Sequence, residues 1–151
     1  MVAKSFSGGE KLQAALAELA KKVSKAASVE VGFLEGATYP DGTSVAMIAA
    51  IDEFGAPANG TPPRPYFRNM IAKDSPDWGD AVGKLLVVNE YDAGKALGLM
   101  GEHIANQLRE SIRDFTTPGN AKSTIARKGF DAPLRESGHM LNSVDNKVKE
   151  S

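Results

Sequence analysis

A chain of 151 residues, 42% hydrophobic and 25% charged, has the size and balance of one soluble domain with a single core. A formal net charge of −1 gives no global attraction to nucleic acid or membrane, so either contact has to come from a local patch. The absence of cysteine removes disulfides, thiolate nucleophiles and the common zinc sites. No apolar run approaches the roughly 20 residues of a spanning helix, and no apolar signal core opens the sequence, which together predict a cytosolic type of domain and no membrane partner.

In chain order, Ser7-Gly-Gly-Glu10 has the form of a capping box. Behind it Leu12, Ala15, Leu16, Leu19, Val23 and Ala26 recur at helical spacing, with Lys11, Glu18, Lys21, Lys22 and Lys25 on other faces. This is an amphipathic helix within residues 1–28, and its lysines read as a solvated face. Val29 to Leu34 alternates as a short strand, and Tyr39-Pro-Asp-Gly42 makes a turn. From Ser44, Val45-Ala-Met-Ile-Ala-Ala-Ile51 is apolar on nearly every side and reads as a buried helix stopped by Gly55.

Pro57, Pro62, Pro63 and Pro65 then stiffen the chain into an extended connector, and Pro65 suits the first position of the next helix. Tyr66 and Phe67 face a core, which gives Phe67→Ala an expected cost of roughly 3–5 kcal/mol. Arg64 and Arg68 flank these aromatics and cannot both be buried without partners. At least one is expected to reach a neighbouring subunit or a carboxylate such as Glu53, and replacing Arg64 is expected to spare the fold.

Pro76 kinks this helix or opens another, capped by Asp74 or Ser75, with Trp78, Ala81, Val82, Leu85 and Leu86 as its apolar stripe and Asn89 as its stop. The longest helix follows, with Ala93, Leu97, Met100, Ile104, Leu108, Ile112 and Phe115 on one face. Gly94, Gly98 and Gly101 each weaken it by about 1 kcal/mol against alanine, and the return is close approach of another backbone, within the subunit or between subunits. Thr116 to Asn120 ends it. Ala121 to Phe130 holds Lys122, Arg127 and Lys128 without an acid and is the one basic stretch, read as a loop. Met140 to Val148 supplies a short turn and a last strand that pairs with Val29 to Leu34. The fold class is α+β: several helices, one long and central, packed on a small antiparallel or mixed sheet.

Catalytic patterns are missing. His103 and His139 are the only histidines, and neither stands in a metal or nucleophile motif. Asp52 and Glu53 are adjacent and point in different directions from a helix. No catalytic, cofactor-binding or metal-binding residue is assigned, and the chain is not read as an enzyme.

Several segments resemble one family, the neck, head-tail joining and tail-completion proteins of tailed bacteriophages. Ser44 to Phe54 followed by Gly55 is similar to its buried helix with an acidic-aromatic-glycine turn, and Pro62-Pro-Arg-Pro-Tyr-Phe-Arg68 to its P-x-R-P-F-x-R element, with Tyr66 where phenylalanine is usual. Gly119 to Gly129 and Pro133 to Val144 resemble its ST-I-x-x-K-G and P-L-x-x-[ST]-G-x-[ML]-x-x-S-[VI] blocks. The coverage is about residues 29–148.

The resemblance implies a structural subunit of the virion, assembled in the bacterial host cytoplasm as a ring of six or twelve copies. Its partners would be neighbouring neck, connector or tail proteins, and double-stranded DNA passing without sequence specificity. Arg64, Arg68, Gly94, Gly98 and Gly101 are then candidate subunit contacts. Lys122, Arg127 and Lys128 face the DNA lumen or the next ring. The alternative is a small nucleic-acid-binding regulator that uses the basic 121–129 loop.

Overall fold

The computed structural model describes residues 8–120, 122–128, 134 and 138–151. The element order is α1 (Gly9–Val23), β1 (Ser28–Phe33), α2 (Val45–Phe54), α3 (Tyr66–Asp74), α4 (Trp78–Val88), α5 (Ala93–Asp114), α6 (Lys122–Lys128), α7 (His139–Asn142) and β2 (Val144–Lys149). The fold is α+β, with one long helix packed on a two-stranded antiparallel sheet.

The sheet joins distant parts of the chain: Ser28 lies opposite Lys149 and Phe33 opposite Val144. Two strands alone are marginal in water. Here α5 supports them, packing on both strands and also on α3 and α4. The core is built along α5, where Met100, Ile104, Ala105, Leu108 and Ile112 meet Val45 and Ala49 of α2, Tyr66 and Met70 of α3, Leu134, Met140 and Val144.

Local chemistry explains most boundaries. The Ser44 hydroxyl accepts from the Met47 N–H and starts α2, and Asp92 does the same for Lys95 at the start of α5. In the turn before α2, Asp41 accepts from the Thr43 N–H at 2.9 Å, and that bond holds its carboxyl below the usual range. Asn89 ends α4, and Glu90 and Tyr91 both take left-handed backbone conformations to reverse the chain into α5. A 3-10 turn at Ser75–Asp77 links α3 to α4, and no side chain caps α4.

Several expectations need correction. Ser7 lies outside the described residues, and Gly8, in a left-handed conformation, takes the N-cap of α1 without any side-chain cap. The stripe on α1 is not covered: no residue of that helix is buried, and Leu12 and Leu16 are each 56% exposed. Helix α2 buries only Val45, Ala49 and Glu53, whereas Met47 and Phe54 stand outside, so it is buried on one face. Pro65 occupies the N-cap of α3, one position before the first turn. The basic stretch is helical over Lys122–Lys128 instead of a loop.

Candidate functional site

Among the described residues, the corner between α2 and α3 gathers a dense set of hydrogen bonds. Gly55 makes it possible. Its φ of 76° and ψ of 173° are open to glycine almost alone. A Cβ there would lie 2.7 Å from the Pro63 nitrogen and 2.9 Å from the Thr61 oxygen. The returning proline segment therefore crosses directly over this residue. It brings Arg64 back to Asp52, whose carbonyl accepts the Arg64 N–H at 2.7 Å and whose carboxylate meets Nη1 at 3.3 Å.

Glu53 then closes the corner. Its Oε2 accepts the Phe67 N–H at 2.9 Å, and its Oε1 accepts the Arg68 N–H at 3.3 Å and Arg68 Nε at 2.6 Å. The carboxylate thus caps the N-terminus of α3 from another helix, where free amides and the helix dipole both favour an anion. Arg68 Nη2 also donates to the Glu53 carbonyl at 3.1 Å, and its guanidinium lies 5.1 Å from the centre of the exposed Phe54 ring.

Tyr66 locks this corner to the rest of the core. Its hydroxyl donates to the Ala49 carbonyl at 3.0 Å, and its own carbonyl accepts from Ser111 on α5 at 2.7 Å. Burial, reinforced by the Asp52 and Glu53 carboxylates, pushes the Tyr66 hydroxyl well above the usual tyrosine range. Phe33 packs edge-on to both Tyr66 and Phe67.

Two depressions flank the corner. On the Asp52–Arg64 side a cleft of about 1010 Å³ is lined by residues that include Tyr39, Asp41, Thr43, Asn59 and Asn120. Arg64 Nε is buried there without a hydrogen-bond partner. On the Glu53–Arg68 side a shallower apolar groove of about 270 Å³ runs between Phe33, Ala46, Ala50, Phe54 and Phe67. Among the described residues, no group of three or more histidine, aspartate or glutamate side chains is placed to hold a metal ion. No helix among them is long and apolar enough to cross a membrane.

The two arginines split their tasks. Arg68 reaches Glu53, as expected, and keeps 57% of its side chain in solvent. Arg64 leaves only 12% exposed, so it belongs to the interior, and its replacement is a change to the fold and not a surface change. Phe67 is half-buried and Tyr66 is the fully buried aromatic, which moves the larger truncation cost to Tyr66.

Of the glycines on α5, Gly101 is buried beneath its own sheet: a Cβ would meet Asn146 Oδ1 and Val29 Cγ2, each at 2.6 Å. Gly98 lies under Val148 at 3.8 Å, and Gly94 beside Asp92 at 3.5 Å. The close approach at Gly101 is therefore made by side chains within the subunit. Lys122 is exposed, while the side chains of Arg127 and Lys128 lie outside the described set.

A second polar network escaped sequence reading. Arg109 donates to Glu102 at 3.0 Å and to the Val144 carbonyl at 2.8 Å, and Glu102 accepts from Asn146 at 3.1 Å, which ties α5 to β2. Glu102 and Arg109 stand seven apart, two helical turns, and that spacing was the available signal. No protein-family model, no curated protein and no solved structure matches this chain.

Proposed function

We propose that the protein is a non-enzymatic structural subunit of a tailed-bacteriophage virion, placed at the neck or head-tail interface as a collar, head-tail joining, tail-terminator or tail-completion component. In this reading copies form a ring around the DNA channel and meet neighbouring neck, connector or tail proteins. The observation that carries it is the apolar surface the subunit leaves open on separate elements. Leu12 and Leu16 lie outside on α1, Phe54 (66% exposed) on α2, and Val88 (78% exposed) at the end of α4. Apolar side chains spread this way fit a component that is covered by neighbours on more than one side.

Two further facts support the reading. Val45, Ala49, Tyr66, Leu134, Met140 and Val144, all from the segments that carry the resemblance, pack in one core. The corner is capped and cross-bonded, a platform for presenting Phe54 and Arg68 to a neighbour. The short basic helix α6 is a candidate surface toward DNA or the next ring.

Negative-stain imaging of the purified protein, alone and with particles from a producing host, tests the proposal. Rings, or density at the neck that is lost when the gene is deleted, are expected. A strict monomer that is absent from particles overturns it. Salt-dependent retention of DNA by the isolated protein would instead favour the regulator.

A further inference from the structure

Among the described residues the two strands pair only with each other, so each has a second edge whose backbone groups that pairing does not use. The phase of the ladder says which groups those are. The Leu34 N–H donates to the Ser143 carbonyl at 2.7 Å, one step beyond the Phe33–Val144 pair. Bonded pairs alternate in an antiparallel ladder, so Gly32, Glu30 and Ser28 bond across to β2 as well. Val29, Val31 and Phe33 therefore turn their N–H and C=O groups to the outer edge. On β2 the corresponding residues are Val144, Asn146 and Val148.

The two edges differ. That of β2 is partly spent inside the subunit: the Val144 carbonyl accepts from Arg109, and the Asn146 N–H donates to Asp145 Oδ1, each at 2.8 Å. β2 also carries the exposed Lys147 and Lys149, a common guard against further pairing. The edge of β1 is open. Among the described residues nothing bonds the outward groups of Val29, Val31 or Phe33. Helix α5 packs beneath both strands and α2 touches β1, and no other described element packs along it. All three residues are half-buried, where an amide and a carbonyl without partners cost more than in open water.

We infer that β1 is a self-pairing edge: two copies of this chain set their β1 strands together, antiparallel across a twofold axis at Val31, in one four-stranded sheet. Any strand could take the hydrogen bonds, and the fit at every position selects a second copy. The outward residues are centred on Val31, so Val31 meets its twin and Val29 meets Phe33 twice, and every outward group finds a partner at once. A slip by two residues leaves an end of each edge unbonded. On the face toward α5 the register sets Val29 beside Phe33 and Val31 beside Val31, apolar against apolar. On the other face Glu30 of each copy comes opposite Gly32 of the other, where nothing lies within 4 Å of the missing Cβ. No like charges stand directly opposite, and each Glu30 already meets Lys149 of its own subunit at 2.5 Å. Two strands alone are marginal, and the pairing supplies the sheet with more.

One strand a side is far fewer than the roughly 20–30 residues that standard interfaces contribute from each partner. The pair is accordingly weak and dependent on concentration. It does not rest on the virion reading, since a twofold contact joins copies in pairs whether or not a ring closes.

Sedimentation of the intact protein from low-micromolar to near-millimolar concentration, with amide exchange read residue by residue, tests it. A monomer–dimer equilibrium is expected. The Val29, Val31 and Phe33 amides should exchange fast in dilute protein and about tenfold more slowly once about nine copies in ten are paired. Those of Glu30 and Gly32, bonded to β2 in both states, should not respond to concentration, and neither should Val144 and Val148. The chain has no cysteine, so Glu30→Cys and Ser28→Cys each carry a single spin label. Labels at position 30 should lie close across the pair, and labels at position 28 roughly 20 Å apart along the strands. A monomer at every concentration overturns the proposal and leaves the edge to a strand of another protein. A dimer whose β1 amides stay fast overturns it too. Slowing at Val144 and Val148 would mean a head-to-tail sheet, and close labels at position 28 would mean parallel strands; either outcome ends the twofold register.

Discussion

The α2–α3 corner and helix α1 are both built from ordinary amphipathic sequence, and they end in opposite states. At the corner the sequence spends two acids, two arginines, a buried tyrosine and a Gly-Pro crossing on a few turns of chain. Every one of them meets a partner in the same subunit. Along α1 a clean apolar stripe meets nothing that buries it. Periodicity makes a helix amphipathic in both places; long-range polar partners decide which of the two the subunit completes by itself. The corner is finished structure, and α1 is an offered surface.

The sharpest way to break the contrast is to empty the corner. Tyr66→Ala removes the largest fully buried side chain and should cost about 3–5 kcal/mol. Against a domain stability of roughly 5–15 kcal/mol, chemical denaturation should show a large fall in midpoint. Phe67→Ala, half-buried, should cost clearly less. Equal costs would mean that the two rings are equally enclosed.

Glu53→Gln probes the cap alone. The amide keeps shape and one acceptor, but it loses the charge that faces the first turn of α3 and the second strong acceptor. A loss of about 1–3 kcal/mol is expected from denaturant melts. Arg68→Ala should cost less, because more than half of that side chain is already in water. A reversed order would make Arg68, and not Glu53, the member that holds the corner together.

How much of this could be read from the sequence differs along the same line. Gly55 and Asn89 as stops, the long α5 and the β1–β2 pairing were legible because each depends on residues within a few positions or on simple alternation. The reach of Arg68 to Glu53 was legible as a need for a carboxylate. Its geometry was not, since acid and amides stand 14–15 positions apart across a proline loop whose path only the fold sets. That Arg64 turns inward was missed for the same reason. Helix α6 was missed because Thr124 and Ile125, both β-branched, lower helix propensity in so short a stretch. The open stripe on α1 could not be read at all: a period of 3.6 reports that a face exists, and coverage is a property of the rest of the chain.

A subtler probe of the corner is alkaline pH. The folded state holds Tyr66 protonated above the ordinary pKa of about 10, while the unfolded chain releases that proton near it. The contribution is fully present below pH 10 and falls away as the pH rises above it, because the folded state then binds more protons than the unfolded one. The difference in absorbance titration between the protein and Tyr66→Phe should show Tyr66 ionising only with unfolding. Tyr66→Phe should lose about 1 kcal/mol at neutral pH and less at high pH. Ionisation of Tyr66 while the protein is still folded would show the hydroxyl to be open to solvent.

The smallest effect belongs to α1, and it is the most discriminating. Leucine and glutamine have similar helix propensities, so Leu16→Gln on an uncovered face should leave the dilute protein within about 0.5 kcal/mol of its original stability. Thermal melts of the dilute protein and of the variant read this directly. If the variant melts lower even when dilute, the stripe is packed on its own subunit. The two regions would then differ in degree and not in kind, and α1 would no longer be an offered surface.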